Sequence, residues 1–398
     1  MIKKLILSKL EIHNFYFLNI IKRLALPLFD DILNTTTNKP LKNVEKTGYK
    51  AANNHKIHYI TYIPPYVKIS VNNSFKKLAF NRFNGFLIDL ENFNSIQDYM
   101  SKQFGSKSRS KIRSYTRRVE TCFNITYQIY FGDMDETVFK QLFIELESMI
   151  KRRFDQRGDQ NQSMEDWNYY KNTVFQNILN KNASLFVIYD NNKPIDICIN
   201  YHYENIMINY IRTYDIDYSK FKLGYIDIFK QLEWCFENDI KFFDLGIGIL
   251  TYKKQWCNVT YNFKNYIIYN KNSAINTVFG ILLLLFYKLK IFLDNNKIIL
   301  DKENRIADAA NSSNKENINP VDSFELETNV IPKTTELNTD YSKINFELEE
   351  FSFLINVIYD YLYLNFDHKN NVSIYKSNNH HNEFILSGKK IMKLTLKN

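Results

Sequence analysis

Apolar and polar positions change period several times along the chain, and each change predicts an element. Val138, Leu142, Leu146 and Met149, with Phe139, Phe143 and Ile150, recur at helical spacing. Asp133 followed by Glu136 predicts an N-cap with a capping box ahead of them. Further helices are predicted over 92–103, 107–120 and 164–179, and a strand over 125–131. The apolar run 184–189 ends in Asp190-Asn191-Asn192-Lys193-Pro194, strong turn chemistry. Ile195 to Tyr203 then alternates, with Ile195, Ile197, Ile199, Tyr201 and Tyr203 on one face and Asp196, Cys198, Asn200 and His202 on the other. Glu204-Asn205 turns tightly into 206–213. This reads as a three-stranded antiparallel meander with one packed face.

Past 214 the period lengthens. Tyr225, Ile228, Leu232, Cys235 and Phe236 share one face of a helix over 223–237, and Asn238 stands where a left-handed C-terminal residue is expected. A short strand over 241–245 follows. Strand, helix and returning strand form a crossover, so that pair should be parallel. A last strand covers 263–269. Ahead of all this the pattern is less regular: a helix over 15–33, a polar loop over 34–55, and strands at 58–63, 67–71 and 85–90. Beyond 297 a polar linker leads to a helix at 348–364 and short strands at 371–375, 383–386 and 391–396. The fold class is α/β (α+β): a mixed sheet, antiparallel meander plus parallel β-α-β crossover, flanked by helices. The divisions fall at 1–104, 105–259, 260–297, 298–346 and 347–398, the last a small C-terminal module.

Composition narrows the classes. The 398 residues are 45% hydrophobic and 24% charged, which excludes wholesale disorder. A net charge of +9 favours anionic partners such as a phosphorylated cofactor, nucleic acid or an anionic membrane face. Cys122, Cys198, Cys235 and Cys257 form no C-x-x-C pair, and reduced buried thiols in a cytoplasmic protein are expected. The first residues break at Lys9, Glu11 and His13, too soon for a signal segment. The uninterrupted apolar core of 274–293 is shorter than the ~20 residues of a spanning helix. A packed or membrane-surface helix is therefore expected, with peripheral contact at the inner face of the membrane.

Three stretches carry candidate chemistry. In KSRSKIRSYTRR, Arg109, Arg113 and Arg117 lie at i, i+4 and i+8, which puts three guanidiniums on one helix face. They are either a phosphate patch or a solvated basic face. In YDIDYSKFKLG, a loop with Lys220 and Lys222 leads to Leu223, Gly224 and Tyr225 at a helix start, where free backbone N–H groups bind anions. The blander reading is an ordinary loop and cap. In FDLGIGILTYKKQW, Gly246 and Gly248 follow a strand end, with Asp244 before them and Tyr252 and Lys253 after. Lys254 reads as a surface lysine.

In this order and spacing, KSRSKIRSYTRRVE, YDIDYSKFKLGYIDI and KFFDLGIGILTYKKQW resemble the three recurrent blocks of the CelD-like branch of GNAT acyltransferases, enzymes of polysaccharide and envelope biosynthesis. The resemblance spans 105–259; the Gly loop before the crossover helix is thinner than usual, with Gly224 alone. The first hundred residues would then be part of a first GNAT lobe. The resemblance implies an acyl-CoA co-substrate, acetyl-CoA in the simplest case, with its pyrophosphate on Lys222, Leu223, Gly224 and Tyr225, near Lys220 and the row Arg109, Arg113 and Arg117. It implies direct attack by an amine acceptor, an amino sugar being the expected class, and no metal. Backbone N–H groups of 206–214 would hold the oxyanion, helped by Lys253. Tyr252 or Tyr214 would be the acid, and Asp244, with Glu147 behind it, the base. The alternatives are a Fem-type transferase with an aminoacyl-tRNA donor, in which case the basic helix meets RNA, and a non-catalytic binding protein on the same fold.

Overall fold

The computed structural model describes residues 9–41, 45–46, 55–158, 164–248, 250–311, 326–331 and 340–396. The chain divides into two compact units, each made of two separated stretches: 1–89 with 242–317, and 90–241 with 318–398. These boundaries cut across the divisions drawn from sequence order, because pairing partners far apart in the chain close each unit.

The first unit is built on a mixed sheet. Leu10–Asn14 runs parallel to Ile57–Ile63. Ile57–Ile63 pairs antiparallel with Val259–Asn270, which pairs with Phe75–Asp89, which pairs with Phe242–Ile247. The strand expected at 85–90 is thus the end of a longer one, whose exposed polar positions hide its first half. A smaller sheet joins Phe29–Asn34 to Lys39–Pro40 and Val67–Val71. The helix expected over 15–33 is reduced to a π-helical stretch, Tyr16–Ile21. Arg23 enters the left-handed region (φ 54°) and Pro27 lacks the N–H a helix would need there.

Helix Ala274–Asn311 lies on this sheet. Tyr287 stacks on Tyr59, ring centroids 4.6 Å apart, and on Phe80 at 5.7 Å. Gly280 allows that approach, since a Cβ there would come within 2.5 Å of the Tyr269 ring. The segment Ala274–Asp294 is long and apolar enough, by length and composition, to cross a membrane. The uninterrupted apolar run is shorter, because Lys288 and Lys290 break it while the helix continues through them.

In the second unit four strands pair antiparallel in the order Ile206–Tyr214, Lys193–Tyr203, Ala183–Asp190 and Ile125–Tyr130. The meander is as expected, but both of its faces are covered. Asp196, Cys198 and Asn200 are fully buried and His202 nearly so. Helix Leu223–Glu237 supplies polar partners to that side: Asn200 Nδ2 donates to Gln231 Oε1 at 2.8 Å, and Cys198 Sγ lies 3.5 Å from Asp227 Oδ2. At its C-terminal end Asp239, not Asn238, takes the left-handed conformation (φ 55°). Helix Glu136–Arg157 is capped by Asp135 instead of Asp133. Its carboxylate accepts from the N–H groups of Thr137 and Val138, and Val138 itself faces solvent.

The C-terminal stretch of this unit forms an antiparallel sheet in the order Leu326–Ile331, Ile391–Leu396, Glu383–Ser387, Ser373–Ser377, Tyr341–Ile344. Helix Ile355–Asn365 accompanies it. Leu354, Ile358 and Leu362 share one core with Phe123, Tyr218 and Phe221, and all six are essentially buried. Each such side chain is worth about 1.5–3 kcal/mol of burial. The module is part of the unit's core, and the polar run 298–346 is helical to Asn311 and supplies the strands Leu326–Ile331 and Tyr341–Ile344, its other stretches 312–325 and 332–339 lying outside the described residues.

Candidate functional site

Strand Ile206–Tyr214 slips register against its neighbour: Ile199 faces Ile211, but Asn200 faces Asn209. Tyr210 is the extra residue of a β-bulge, which takes a backbone group out of the ladder. Beyond the strand, Asp215 caps the 3-10 turn Ile216–Phe221 by accepting from the N–H of Asp217. Burial pushes the Asp215 acid up, but Lys193 at 2.7 Å and Arg152 at 2.9 Å outweigh it and hold the carboxyl below its ordinary pKa.

Lys222 then turns the chain in the left-handed conformation (φ 59°) and starts helix Leu223–Glu237. Its side chain is exposed, Leu223 is buried, and Gly224 and Tyr225 are half-buried. Tyr225 packs at 5.8 Å from Tyr115 of the Arg-rich helix Ser106–Cys122. Gly224 answers to a protein group: a Cβ there would meet the Arg212 guanidinium at 3.0 Å, and Arg212 Nη2 donates to the Gly224 carbonyl. The same guanidinium grips Asp227 through Nε at 2.5 Å and Nη2 at 2.6 Å. Burial raises the Asp227 acid and Arg212 pulls it back. Asp196 beside it is raised well above its ordinary value by burial and then by Asp227. Asp196, Cys198 and Asp227 are close enough to ligate one ion, but Arg212 already supplies the positive charge there.

A cleft of about 360 Å³ opens beside this turn, lined by Asp217, Ser219, Lys220, Lys222, Asn356 and Asp360 among others. Lys220 pairs with Asp360 of the C-terminal module at 3.1 Å, which leaves Lys222 as the exposed lysine at the helix start.

The arginine row divides by role. Arg109 donates to the carbonyls of Ser101 and Phe104 at 3.1 and 2.7 Å and so closes the end of helix Ile96–Gln103. Arg113 and Arg117 are exposed, and Arg117 lies over the Phe366 ring at 5.6 Å. Glu147 accepts from Lys151 at 2.6 Å and from Trp167 Nε1 at 2.9 Å, and the Lys151 bond leads in holding its acid below the usual range. Tyr214 sits under the Arg153 guanidinium at 4.6 Å.

In the first unit, strand Phe242–Ile247 carries Asp244, which is fully buried. Its Oδ2 accepts from Tyr16 at 2.6 Å and from Tyr66 and Tyr261 at 2.7 Å; its Oδ1 accepts from the Gly246 N–H at 2.7 Å. Burial, and then the Asp244 charge, push all three phenols well above their ordinary pKa. Four donors on a sealed carboxylate make an anchor; a general base needs a lone pair open to substrate. Gly246 (φ 69°) and Gly248 (φ 110°) turn the chain out of the strand. Lys253, on the short helix Thr251–Trp256, is 6% exposed and donates to the Ile247 carbonyl, pinning that turn. Tyr252 is half-buried and Lys254 exposed.

Sequence reasoning missed the Asp244 tyrosines, which come from three distant segments without a shared motif, and Arg212, a lone arginine in an apolar strand. It also missed Glu11, His13 and His58 on adjoining strands, one of two groups among the described residues whose ligand atoms lie close enough to hold a metal ion. His13 Nε2 lies 3.3 Å from His58 Nδ1, and Glu11 Oε2 lies 3.4 Å from the latter and 3.9 Å from the former. The same spacing also suits a hydrogen-bonded histidine pair.

Residues 106–254 match the family model described as an acetyltransferase (GNAT) domain. The match runs from the Arg-rich helix through the glycine turn and holds all three blocks but for the last two residues of the third, Gln255 and Trp256. No curated protein matches the chain. Among solved structures, the chain is similar to a conserved protein of unknown function from Bacteroides thetaiotaomicron (12% identity, 54% of this chain and 70% of that one, TM-score 0.38). It is also similar to the C-terminal domain of a putative lysylphosphatidylglycerol synthetase from Agrobacterium fabrum (10%, 58% and 71%, TM-score 0.38). A third is FemX (10%, 56% and 74%, TM-score 0.38). The GNAT match supports acyl transfer as the general chemistry.

Proposed function

We propose that the chain is an N-acyltransferase that moves an acyl group, acetyl in the simplest case, from acyl-CoA to an amine. The GNAT match over 106–254 carries this reading. The donor's pyrophosphate would meet the start of helix Leu223–Glu237, where the N–H groups of Leu223 and Gly224 and the exposed Lys222 favour an anion. The amine nitrogen attacks the thioester carbon directly. The C–S bond then breaks, the ammonium proton leaves to a base, and the thiolate takes a proton. A backbone N–H at the Tyr210 bulge suits the oxyanion. Tyr214 and Tyr252 are the candidate acids. Glu147, ionised and partly exposed, is the candidate base now that Asp244 is enclosed. An amino sugar of envelope or polysaccharide synthesis, as in the CelD-like branch, is the acceptor class proposed.

The test is a melting curve with and without acetyl-CoA and longer acyl-CoAs. A ligand bound only by the folded state adds about 2.7 kcal/mol at a hundredfold excess over Kd. A rise that Lys222→Glu abolishes without lowering the unliganded Tm supports the reading. No shift with any acyl-CoA refutes it, and RNA binding that weakens steeply with salt would then favour an aminoacyl-tRNA donor.

A further inference from the structure

Helix Ala274–Asn311 has two apolar faces. The inner one, Phe279, Leu283, Leu284, Tyr287 and Ile291, packs on the sheet of the first unit. The outer one follows Val278, Leu282, Leu285, Leu289 and Phe292, which are 56, 54, 57, 58 and 61% exposed. Ile275, Ile281, Phe286 and Leu293, also exposed, widen this row. At about 100° per residue the outer stripe covers roughly 140° of the helix. A two-helix seam needs only the narrow a and d row. A single monomer rarely leaves so continuous an apolar surface to water.

Charge says what covers it. Lys288 and Lys290, both exposed, leave the helix from opposite shoulders of the stripe, where long side chains reach from an apolar layer to a polar boundary. Lys288 and Lys264 line an open cleft of about 380 Å³ along the helix edge, together with Phe80 and Ile291. Lys264, Lys288 and Lys290 therefore border the apolar stripe. A spanning arrangement conflicts with the inner face, because Tyr287 stacked on Tyr59 and Phe80 cannot also face lipid.

We infer that this helix seats the first unit on a bilayer containing anionic phospholipid. It lies in the plane of the surface, with the outer stripe among the upper acyl chains and Lys264, Lys288 and Lys290 on headgroup phosphates. Nothing in this depends on the acyl donor, so it stands or falls apart from the transferase reading.

The test is flotation of the full chain with phosphatidylcholine vesicles, with and without phosphatidylglycerol. The chain is expected to float with the anionic vesicles. Leu285→Glu with Leu289→Glu should stay at the bottom with an unchanged circular dichroism spectrum, since neither side chain enters the core. Lys264→Ala with Lys288→Ala should weaken partition onto anionic vesicles by roughly fivefold per lysine and leave neutral vesicles little changed. A wild-type chain that fails to float overturns the inference, as does a Leu285/Leu289 variant that floats like wild type. A dimer in sedimentation that the same double variant splits, without flotation, assigns the stripe to a second copy of the chain.

Discussion

Replacing Asp244 separates an anchor from a base. Its two oxygens hold three phenols and the Gly246 N–H, all within 2.7 Å. Hydrogen bonds to a charged acceptor are worth about 1.5–3 kcal/mol each, and a buried donor left unpaired costs about 1–3 kcal/mol. Tyr16 and Tyr66 are already 2.7 Å apart, so they can pair with each other and recover one bond. Asp244→Ala therefore leaves two or three donors unpaired and should cost about 4 kcal/mol, near the 3–5 kcal/mol of a broken buried charge pair. Asp244→Asn keeps the shape and part of the accepting capacity and should cost about 2 kcal/mol on the same scale. Urea unfolding is the assay, followed by fluorescence of Trp256, which is fully buried in the same unit. An Asn variant within about 0.5 kcal/mol of wild type, but with turnover abolished, would refute the anchor and restore Asp244 as a catalytic base.

The same cage should make the protein fail in alkali. Tyr16, Tyr66 and Tyr261 stay protonated when folded but ionise near pH 10 when unfolded. Their contribution is complete below that pH and is lost above it at about 1.4 kcal/mol per pH unit per phenol; a urea midpoint flat from pH 9 to 11 would contradict it. Asp196 has a raised folded pKa, so stability present below about pH 4 is lost as pH rises and the unfolded acid ionises. Asp196→Asn should therefore raise the urea midpoint at pH 7 and leave it little changed at pH 4. Arg212→Met strands the buried Asp227 and should cost about 3–5 kcal/mol, read as the shift in chemical denaturation. Leu362→Ala should lose about 2–5 kcal/mol and take the Trp167 and Trp234 signals of the second unit with it; a separately melting module would show itself by leaving those signals in place.

The strands over 183–214 are legible because period-2 alternation and the Asp190–Pro194 turn act locally. Helix Leu223–Glu237 is legible because its apolar stripe is continuous, although the left-handed residue after it is Asp239 and not the expected Asn238. What sequence order hides is long-range. Asp244 reads as a carboxylate beside glycines, and only the meeting of Tyr16, Tyr66 and Tyr261 shows why it is there. Gly224 reads as a ligand approach, whereas Arg212, twelve residues earlier, sets its size. The polar face of Ile195–Tyr203 reads as solvated, since alternation cannot tell water from Asp227 and Gln231 as the partner. The helix at 15–33 fails for the opposite reason: apolar content suited it, but backbone geometry at Arg23 and Pro27 did not.

The two units interleave along the chain, and that sets when each can close during synthesis. The first lacks its central strand until Val259–Asn270 has been made, and the second buries Leu394 in its core. At the ~5–20 residues per second of translation, the apolar faces of the early segments stay uncovered for tens of seconds. The first unit can close once Val259–Asn270 and the helix after it have been made, whereas the second waits for its last strand, so a premature stop ahead of Leu394 should leave a folded first unit tethered to an uncovered, aggregation-prone second one.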